Sequence, residues 1–391
     1  MKLYLKSIAN PYTVFSISWL LCLFLYSLGW AGIYPKLSSE LSLFVISLIV
    51  VMGLTAIFYK RIKINLTPIS VNTYRYKVLF AFNLLLWALN FLYSGIPIFN
   101  GLRDLDFGIP FVKIISASLN NFLSIYFFYL FLISGKKKFL LYCGLCFFLF
   151  ALVISRGNIM LSMVSMFFMW INIKNPILSV TKGITILAFT LTILFLFGVA
   201  GNYRTIKNVA DNDSSVQDNY SSKLILGIGE ASTFYRNYIP GEFFWGYLYI
   251  SSPLSNLQYN LNKPSKSSTP DNISMLIINE ILFDAISNKI DEGYHLNKQT
   301  PALLVDTLTV STAFAGSYVY AGWTGVLIYV VIFWLLPFIY TILLAKNPLA
   351  IIGVSVLCTV YFFSIFDNML ILTALTSQLL YPIFMRLSIN K

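Results

Sequence analysis

The sequence predicts an all-α polytopic integral membrane protein, and three observations lead to that prediction. Hydrophobic residues make up 58% of the 391 residues and charged residues only 11%, against about 25% charged residues in soluble proteins. The mean hydropathy of the chain is +0.77. Apolar segments of about 20 residues, the length that crosses a bilayer as a helix, recur along the chain. These features exclude a cytosolic enzyme, a secreted disulfide scaffold and a disordered regulator.

Ten apolar segments are long enough, or nearly long enough, to cross a bilayer as helices. The first has no small-residue cleavage site, so we expect a retained anchor rather than a signal peptide. The fifth and sixth are short, and the last is also compatible with a re-entrant segment. The predicted spans cover residues 12–34, 39–59, 78–95, 111–133, 139–154, 158–173, 183–200, 316–344, 349–366 and 368–385.

These spans divide the chain into three regions, which the Lys and Arg residues orient. We expect an N-terminal membrane domain over residues 1–200, a loop domain over 201–315 and a C-terminal membrane domain over 316–391. With both termini in the cytoplasm, the cytoplasmic loops and ends carry fifteen of the 27 basic residues. All fifteen acidic residues then fall on the outer side, which supports the topology independently. The net charge of +12 therefore reflects topology and does not indicate a nucleic-acid partner.

Each of the four cysteines lies within a predicted span. Cys143 and Cys146 form a C-x-x-C pattern, which in a soluble protein indicates zinc binding or redox chemistry. Within an apolar helix, the same spacing predicts two buried thiols on one helix face instead. The loop domain has no cysteine, so disulfides cannot hold it together.

The loop domain is longer than an ordinary connection, and loops of this length usually have a function. A polar run over residues 208–222 predicts a linker or flap. The aromatic-rich stretch over 234–259 predicts either an interfacial belt or rings that stack on sugars. Apolar spacing over 254–261 and 273–285 predicts two amphipathic helices, either on the membrane surface or packed over the spans.

Three arginines lie near the outer ends of predicted spans or in the loop domain. Arg156 belongs to the sequence SRGN between two short spans, Arg204 follows the seventh span, and Arg236 lies in the aromatic-rich stretch. A charge at the centre of a bilayer costs about 2.5–3.5 kcal/mol on insertion scales, so such residues usually serve a function. Converging guanidinium groups would bind a phosphate or pyrophosphate. The alternative is that each side chain reaches out separately to lipid headgroups.

Four residues of the loop domain are candidates for a general base. His295 is the only histidine of the chain, and an imidazole titrates near neutral pH. Glu230, Glu242 and Asp306 are the carboxylate candidates. The sequence contains no glycine-rich phosphate loop, no zinc-protease motif and no nucleophile-elbow motif. It therefore predicts neither a metal nor a cofactor.

The order of these features resembles a known family of membrane enzymes. SRG follows the fifth span, an arginine follows the seventh, and one large outer loop precedes the last few spans. This layout is similar to that of the bacterial O-antigen and oligosaccharide repeat-unit polymerases of the Wzy type. The stretches that carry the resemblance are Ser155–Met160, Tyr247–Leu261 and Val310–Tyr329.

The third stretch departs from the family pattern, which has an asparagine before V-x-T and an acidic residue just before the glycine. Thr309, Tyr320 and Ala321 occupy that region here, so only Thr312 is carried over as a substrate-binding residue. From the second stretch, the resemblance adds two further expected substrate-binding residues, Tyr249 and Asn256.

The resemblance implies a metal-independent, inverting glycosyltransferase of the lipid-linked class, with a GT-C-like architecture, in the bacterial inner membrane. It would move a growing glycan from undecaprenyl pyrophosphate to the non-reducing sugar of a new lipid-linked repeat unit. Its expected partners are these lipid-linked glycans, membrane lipid, a chain-length regulator and a flippase, without a cofactor. In this scheme Arg156, Arg204 and Arg236 bind the pyrophosphate, and His295 or an acidic residue of the loop domain takes the proton.

Three other functions fit parts of the sequence. An O-antigen ligase shares the layout and the carrier chemistry, and a histidine such as His295 is expected in its outer loop. A polysaccharide flippase or other transporter normally shows internal repeats and short loops throughout, which this chain does not. The third alternative is a structural partner in the polysaccharide assembly complex. We therefore expect a polymerase, with the ligase as the nearest alternative.

Overall fold

The computed structural model describes residues 3–5, 8–62, 73–100, 107–210, 222–264, 267–345, 347 and 349–389. Most of this part is helical, and its one strand pair joins β1 (Leu3–Tyr4) to β2 (Ile177–Leu178) in antiparallel register. The structure thus confirms the coarse prediction of a mainly helical chain. Most of the predicted polar linker, residues 211–221, lies outside the described residues.

In the N-terminal membrane domain, each of the seven predicted spans coincides with a helix. The first is shorter than predicted, because Gly29 adopts a left-handed conformation (φ 62°) just after the helix ends. The side chains of Asn10 and Ser38 accept backbone hydrogen bonds that cap the first two helices. The helices are α1 (Pro11–Ser27), α2 (Ser39–Tyr59), α3 (Thr73–Ser94), α4 (Pro97–Asn100), α5 (Pro110–Ser134), α6 (Lys138–Leu152), α7 (Arg156–Lys174) and α8 (Val180–Ala210).

The loop domain is helical as well. Its longest helix, α11, packs against α1 and α8, and Leu254 and Leu257 belong to the main core. Of the two predicted placements, α11 therefore adopts the packed one. The second predicted amphipathic helix is broken at residues 281–283 into α12 and α13. The described helices are α9 (Lys223–Ile228), α10 (Thr233–Tyr238), α11 (Phe243–Leu261), α12 (Pro270–Glu280) and α13 (Asp284–Tyr294).

The C-terminal membrane domain begins with a kinked helix, α14 (Ala315–Leu344), and continues with α15 (Ala350–Phe363). The kink lies at Ala321 and Gly322, where Gly322 has φ 58° and ψ −148°, a conformation almost confined to glycine. Helix α12 packs against α14 and so connects the loop domain to this helix.

The tenth predicted span, 368–385, is not one helix. Residues 368–372 are irregular and are followed by the short α16 (Thr373–Thr376), a 3-10 turn and α17 (Leu380–Ile389). The physical reason is local: the side-chain oxygen of Asn368 accepts the backbone N–H of Leu370 at 3.2 Å, a bond that competes with helix formation. We call residues 367–374 the C-terminal loop.

Five helical segments of the described residues are long and apolar enough to cross a membrane, and α1, α6 and α15 are shorter apolar helices. Helix α8 shows the surface expected next to lipid, because its large apolar side chains, such as Phe189 and Leu196, are exposed. The protein is therefore a helical membrane protein. The five long segments are Ser39–Tyr59, Tyr76–Asn100, Pro110–Ser134, Val180–Arg204 and Ala315–Leu344.

The cysteines follow the prediction. Cys143 and Cys146 are both buried on α6, and all four thiols of the chain are free. In the described part of the chain, no group of three or more His, Cys, Asp or Glu residues could hold a metal ion.

Candidate functional site

Three neighbouring cavities are bordered by the C-terminal loop, the turn between α12 and α13, and the ends of the membrane helices. The first, which we call the cationic cavity, has a volume of about 580 Å³. Arg156 and Lys113 line it together with Asp284 and Thr373. Two cations from α7 and α5 therefore border one pocket, next to the first turn of a long helix.

The SRGN sequence builds one wall of the cationic cavity. Ile154 adopts a left-handed conformation (φ 57°), so the chain turns sharply before α7 begins at Arg156. Asn158 then donates to Ser155 Oγ at 2.9 Å and accepts from Asn121 Nδ2 at 2.8 Å. These bonds fix the first turn of α7, whose backbone N–H groups and positive dipole end favour an anion.

The wall of the cationic cavity has open space at Gly157 and a guanidinium group, that of Arg156, which could contact a ligand. A Cβ at Gly157 would meet nothing within 4 Å. Arg156 is exposed, and its side chain makes no hydrogen bond or ion pair with another described residue. Asp284, by contrast, accepts hydrogen bonds from the backbone N–H (3.2 Å) and the hydroxyl of Thr373. The carboxylate is thus bound to the C-terminal loop, while the guanidinium is available.

The second cavity, which we call the acidic cavity, has a volume of about 360 Å³. It is bordered by the end of α12, the segment before α14, and the C-terminal loop. Glu280 and Asp367 line it with Lys298 and Thr312. Asp367 and Lys298 are exposed at its edge, whereas Glu280 is only 8% exposed.

Glu280 is held from two sides. Asn368 Nδ2 donates to Glu280 Oε2 at 2.9 Å and to its backbone carbonyl at 2.8 Å. Asn368 is itself oriented by the hydroxyl of Tyr329, which donates to Asn368 Oδ1 at 2.7 Å. On the other side Glu280 packs against Gly316, where a Cβ would overlap the carboxylate. The position of the carboxylate therefore depends on three separate elements of the fold.

Burial changes the acidity of this group. Desolvation raises the pKa of Glu280 to about 7, with the hydrogen bond from Asn368 opposing the shift and the negative charge of Asp367 adding to it. Desolvation also raises the pKa of Asp367, and the backbone N–H of Asn368 and the charge of Lys298 oppose that shift. A carboxyl group that titrates near neutral pH is suited to proton transfer.

The third cavity, which we call the apolar cavity, has a volume of about 540 Å³ and lies between the start of α5, α13 and α17. Phe111, Ile115 and Leu380 contribute apolar side chains to it. Ile114 and Thr373 line both this cavity and the cationic cavity, so the two share a wall.

The structure does not bring the three predicted arginines together. Arg156 lines the cationic cavity, but Arg204 and Arg236 line none of the three cavities. Arg204 is exposed near the end of α8, which packs against α9 and α11. Arg236 donates to the carbonyls of Ala231 (2.8 Å) and Leu226 (2.9 Å). Its guanidinium is hydrogen-bonded to the backbone, so Arg156 alone of the three predicted arginines lines one of these three cavities.

The four predicted bases are not among the residues that line these cavities. His295 is exposed in a left-handed conformation at the C-terminus of α13, and Asp306 is exposed in the following segment. The backbone carbonyl of Glu230 accepts from Gly32 N at 2.9 Å, while Glu242 precedes α11. None of the four lines any of the three cavities.

Of the predicted substrate-binding residues, only Thr312 lines one of the three cavities described above, the acidic one. Tyr249 packs its ring against Phe197 and Phe366, with centroids 5.6 and 5.4 Å apart. Asn256 is fully buried, and its side chain bonds the backbone of the 304–310 segment at three places. Asn256 therefore fixes the chain that leads to Thr312, and it lines none of the three cavities.

The residue that sequence reasoning missed is Glu280. It lies in the run Leu276–Phe283, whose only polar members are Asn279 and Glu280. An acidic residue within such an apolar run predicts a buried carboxylate, and this was the available signal.

Comparison with known proteins gives no match. No family model, no curated protein and no solved structure matches the chain.

Proposed function

We propose that the protein polymerises lipid-linked oligosaccharide repeat units at the outer face of the bacterial inner membrane. It transfers the growing glycan from undecaprenyl pyrophosphate to the non-reducing end of a new lipid-linked unit. In this proposal about ten membrane segments, the last one broken, surround a site that opens to the outer side. The observation that carries the proposal is the cationic cavity, which shares a wall with the apolar cavity.

A polyprenyl pyrophosphate has a strongly anionic head and a long apolar chain, and the two cavities match these two parts. Arg156, Lys113 and the N-terminal N–H groups of α7 suit the pyrophosphate. Phe111, Ile115 and Leu380 suit the isoprene units next to it. Because Ile114 and Thr373 border both cavities, one ligand can occupy both.

The chemistry requires charge stabilisation at the leaving group. The bond between the anomeric carbon of the donor sugar and the phosphate oxygen breaks, and its electron pair stays on the pyrophosphate. Fixed cations beside that oxygen stabilise the developing charge without reorganising during the reaction. Attack by the acceptor hydroxyl from the opposite face inverts the anomeric centre. Arg156 has the placement for this role, and Arg204 and Arg236 do not line the cavity.

The exposed position of His295 supports the polymerase over the ligase. A ligase of the expected type would use a histidine in its outer loop near the pyrophosphate. His295 lies at the C-terminus of α13 and lines neither the cationic nor the acidic cavity.

The test is complementation of a deletion strain, read from the banding of its surface polysaccharide. We expect a single repeat unit in the deletion strain and long chains with the wild-type gene. Arg156→Ala should give a single repeat unit and Arg204→Ala long chains, at equal amounts of inserted protein. If the deletion strain has lipopolysaccharide core without added glycan, while long chains are still built on undecaprenyl pyrophosphate, the protein is a ligase. Lipid-linked units that accumulate on the cytoplasmic face would indicate a flippase, and long chains with Arg156→Ala would contradict the proposed site.

A further inference from the structure

The carboxylate of Glu280 has one oxygen occupied and one available. Oε2 accepts from Asn368, but Oε1 makes no hydrogen bond with any described residue. The group lies at the end of α12 and lines the acidic cavity. Oε1 therefore has free acceptor capacity for a ligand in this cavity.

Two buried polar atoms lack a partner at the same cavity. Asn279 is 0% exposed and Ser311 is 9% exposed, and both line the acidic cavity. Asn279 Oδ1 and Ser311 Oγ have no hydrogen-bond partner among the described residues. A buried polar group without a hydrogen-bond partner is unfavourable. A ligand with several hydroxyl groups would remove that cost, and a sugar is such a ligand.

The acidic cavity lies close to the cationic cavity. Glu280 lines the first and Asp284 lines the second, and only three residues separate them in the chain. Even a fully extended chain spans at most about 3.6 Å per residue, so the two Cα atoms are within about 14 Å. The C-terminal loop also borders both cavities, because Ile371 lines the acidic one and Leu372 lines the cationic one.

We infer that the acidic cavity binds the acceptor sugar and that Glu280 Oε1 is the general base of glycan transfer. This inference rests on the proposed function. The attacking hydroxyl gives its proton to Glu280 and forms a bond to the anomeric carbon of the donor sugar. The bond from that carbon to the phosphate oxygen breaks, and undecaprenyl pyrophosphate leaves with the electron pair. Glu280 then returns the proton to solvent.

The surroundings of Glu280 set its titration. Its pKa of about 7 means that the carboxylate form predominates above neutral pH and is lost below it. The transfer rate should therefore fall as the pH drops through about 7. The titratable groups that face Glu280 or its neighbour Asn279 are Asp291 on α13, Lys298 and Asp367 in the loops, and Tyr320 and Tyr329 on α14.

The experiment compares Glu280→Gln with Glu292→Gln in lipid nanodiscs. Glu292 is a matched control because it lies exposed on α13 and pairs with Lys289 at 2.8 Å. Two quantities are measured: the affinity for undecaprenyl pyrophosphate, and the rate at which repeat units extracted from the deletion strain are joined. Glu280→Gln should keep the affinity and lose about 10²–10⁴-fold in rate. It should also lose the increase in rate between about pH 6 and pH 8 that a general base with a pKa near neutrality produces. Glu292→Gln should match the wild type.

The possible outcomes separate the two proposals. A Glu280→Gln protein that joins units at the wild-type rate and pH dependence overturns the role of Glu280 and leaves the polymerase standing. A variant that loses affinity and rate together shows a structural role for Glu280 and also overturns the inference. A wild-type protein that neither binds undecaprenyl pyrophosphate nor joins units overturns both.

Discussion

The cationic and acidic cavities differ in how they hold their charges. Arg156 is exposed on the first turn of a helix, and arginine carries a permanent positive charge in proteins. Glu280 is buried, bonded by Asn368 and packed against Gly316, and its pKa is raised to about 7. The first cavity therefore offers a constant charge, and the second offers a group that changes protonation.

This difference matches the two tasks of the proposed transfer. A leaving pyrophosphate needs a permanent counter-charge, which the cations that line the cationic cavity would supply beside the N-terminus of α7. An attacking hydroxyl needs a base that accepts a proton and is fixed in position. Three predictions test this contrast, and the largest effect is expected where the side chains are most closely packed.

The largest effect is expected for Gly316→Ala. A Cβ at this position would overlap the carboxylate of Glu280, so the base must move. A displacement of about 1 Å can cost about 100-fold in rate, and we expect at least that loss in the joining of repeat units. Affinity for undecaprenyl pyrophosphate should stay within about twofold, because the cationic cavity is built from other residues.

Gly293→Ala is the control for that substitution. Gly293 lies in α13, and a Cβ there would meet nothing within 4 Å. Alanine in a helix is favoured over glycine by about 1 kcal/mol, so this variant should be slightly more stable and fully active. If Gly316→Ala joins repeat units as fast as Gly293→Ala, the carboxylate does not need its observed position and the contrast between the cavities fails.

The second prediction concerns Arg156 and Arg236, for which the sequence predicts the same role but the structure shows different surroundings. Arg156→Ala removes a charged donor and should weaken undecaprenyl pyrophosphate binding by about 10–100-fold, equivalent to about 1.5–3 kcal/mol. Arg236→Ala leaves the carbonyls of Ala231 and Leu226 without their donor, so it should lower the free energy of unfolding by about 1 kcal/mol. Binding measurements and thermal unfolding in detergent distinguish the two. Weaker binding in Arg236→Ala at unchanged stability would contradict the structural role of Arg236.

The contrast between the cavities also explains what the sequence could predict. Arg156 is predictable because it lies in SRGN between two short spans, and the bond from Asn158 to Ser155 that shapes its surroundings is also local, within one turn of helix. Nine of the ten predicted spans correspond to helices, because apolar length alone produces that signal. The acidic cavity joins residues around 280, 312 and 367, which only tertiary packing brings together. No local sequence pattern predicts that these three segments line one cavity.

Errors in the site prediction have the same origin. Arg236 and Asn256 look available in the sequence, but backbone carbonyls from other segments occupy their side chains. The tenth span was predicted as a helix from its apolar residues, although Asn368 takes the backbone N–H of Leu370 and bonds Glu280 instead. In each case the polar side chain makes hydrogen bonds with groups that hydrophobic periodicity does not predict, either in distant segments or outside a helix.

The smallest effect concerns the two charges at the edge of the acidic cavity. The negative charge of Asp367 raises the pKa of Glu280, and the positive charge of Lys298 lowers it. Asp367→Asn should therefore lower the pKa of Glu280. The carboxylate then stays ionised to a lower pH than in the wild type, and the decrease in rate occurs at a lower pH. Lys298→Met should do the opposite and move the fall to higher pH. Both residues are exposed, so solvent and salt screen their charges and the shifts are modest.

The pair is informative because the two shifts have opposite signs. A general disturbance of the cavity would lower the rate in both variants without moving the pH dependence in opposite directions. The measurement is the joining rate from pH 5.5 to pH 8.5 at low and high salt, a range chosen to bracket a base with a pKa near neutrality. High salt should shrink both shifts. If the two variants move the pH dependence in the same direction, Glu280 is not the group whose titration limits the rate, whereas Arg156 and the cationic cavity would keep their role.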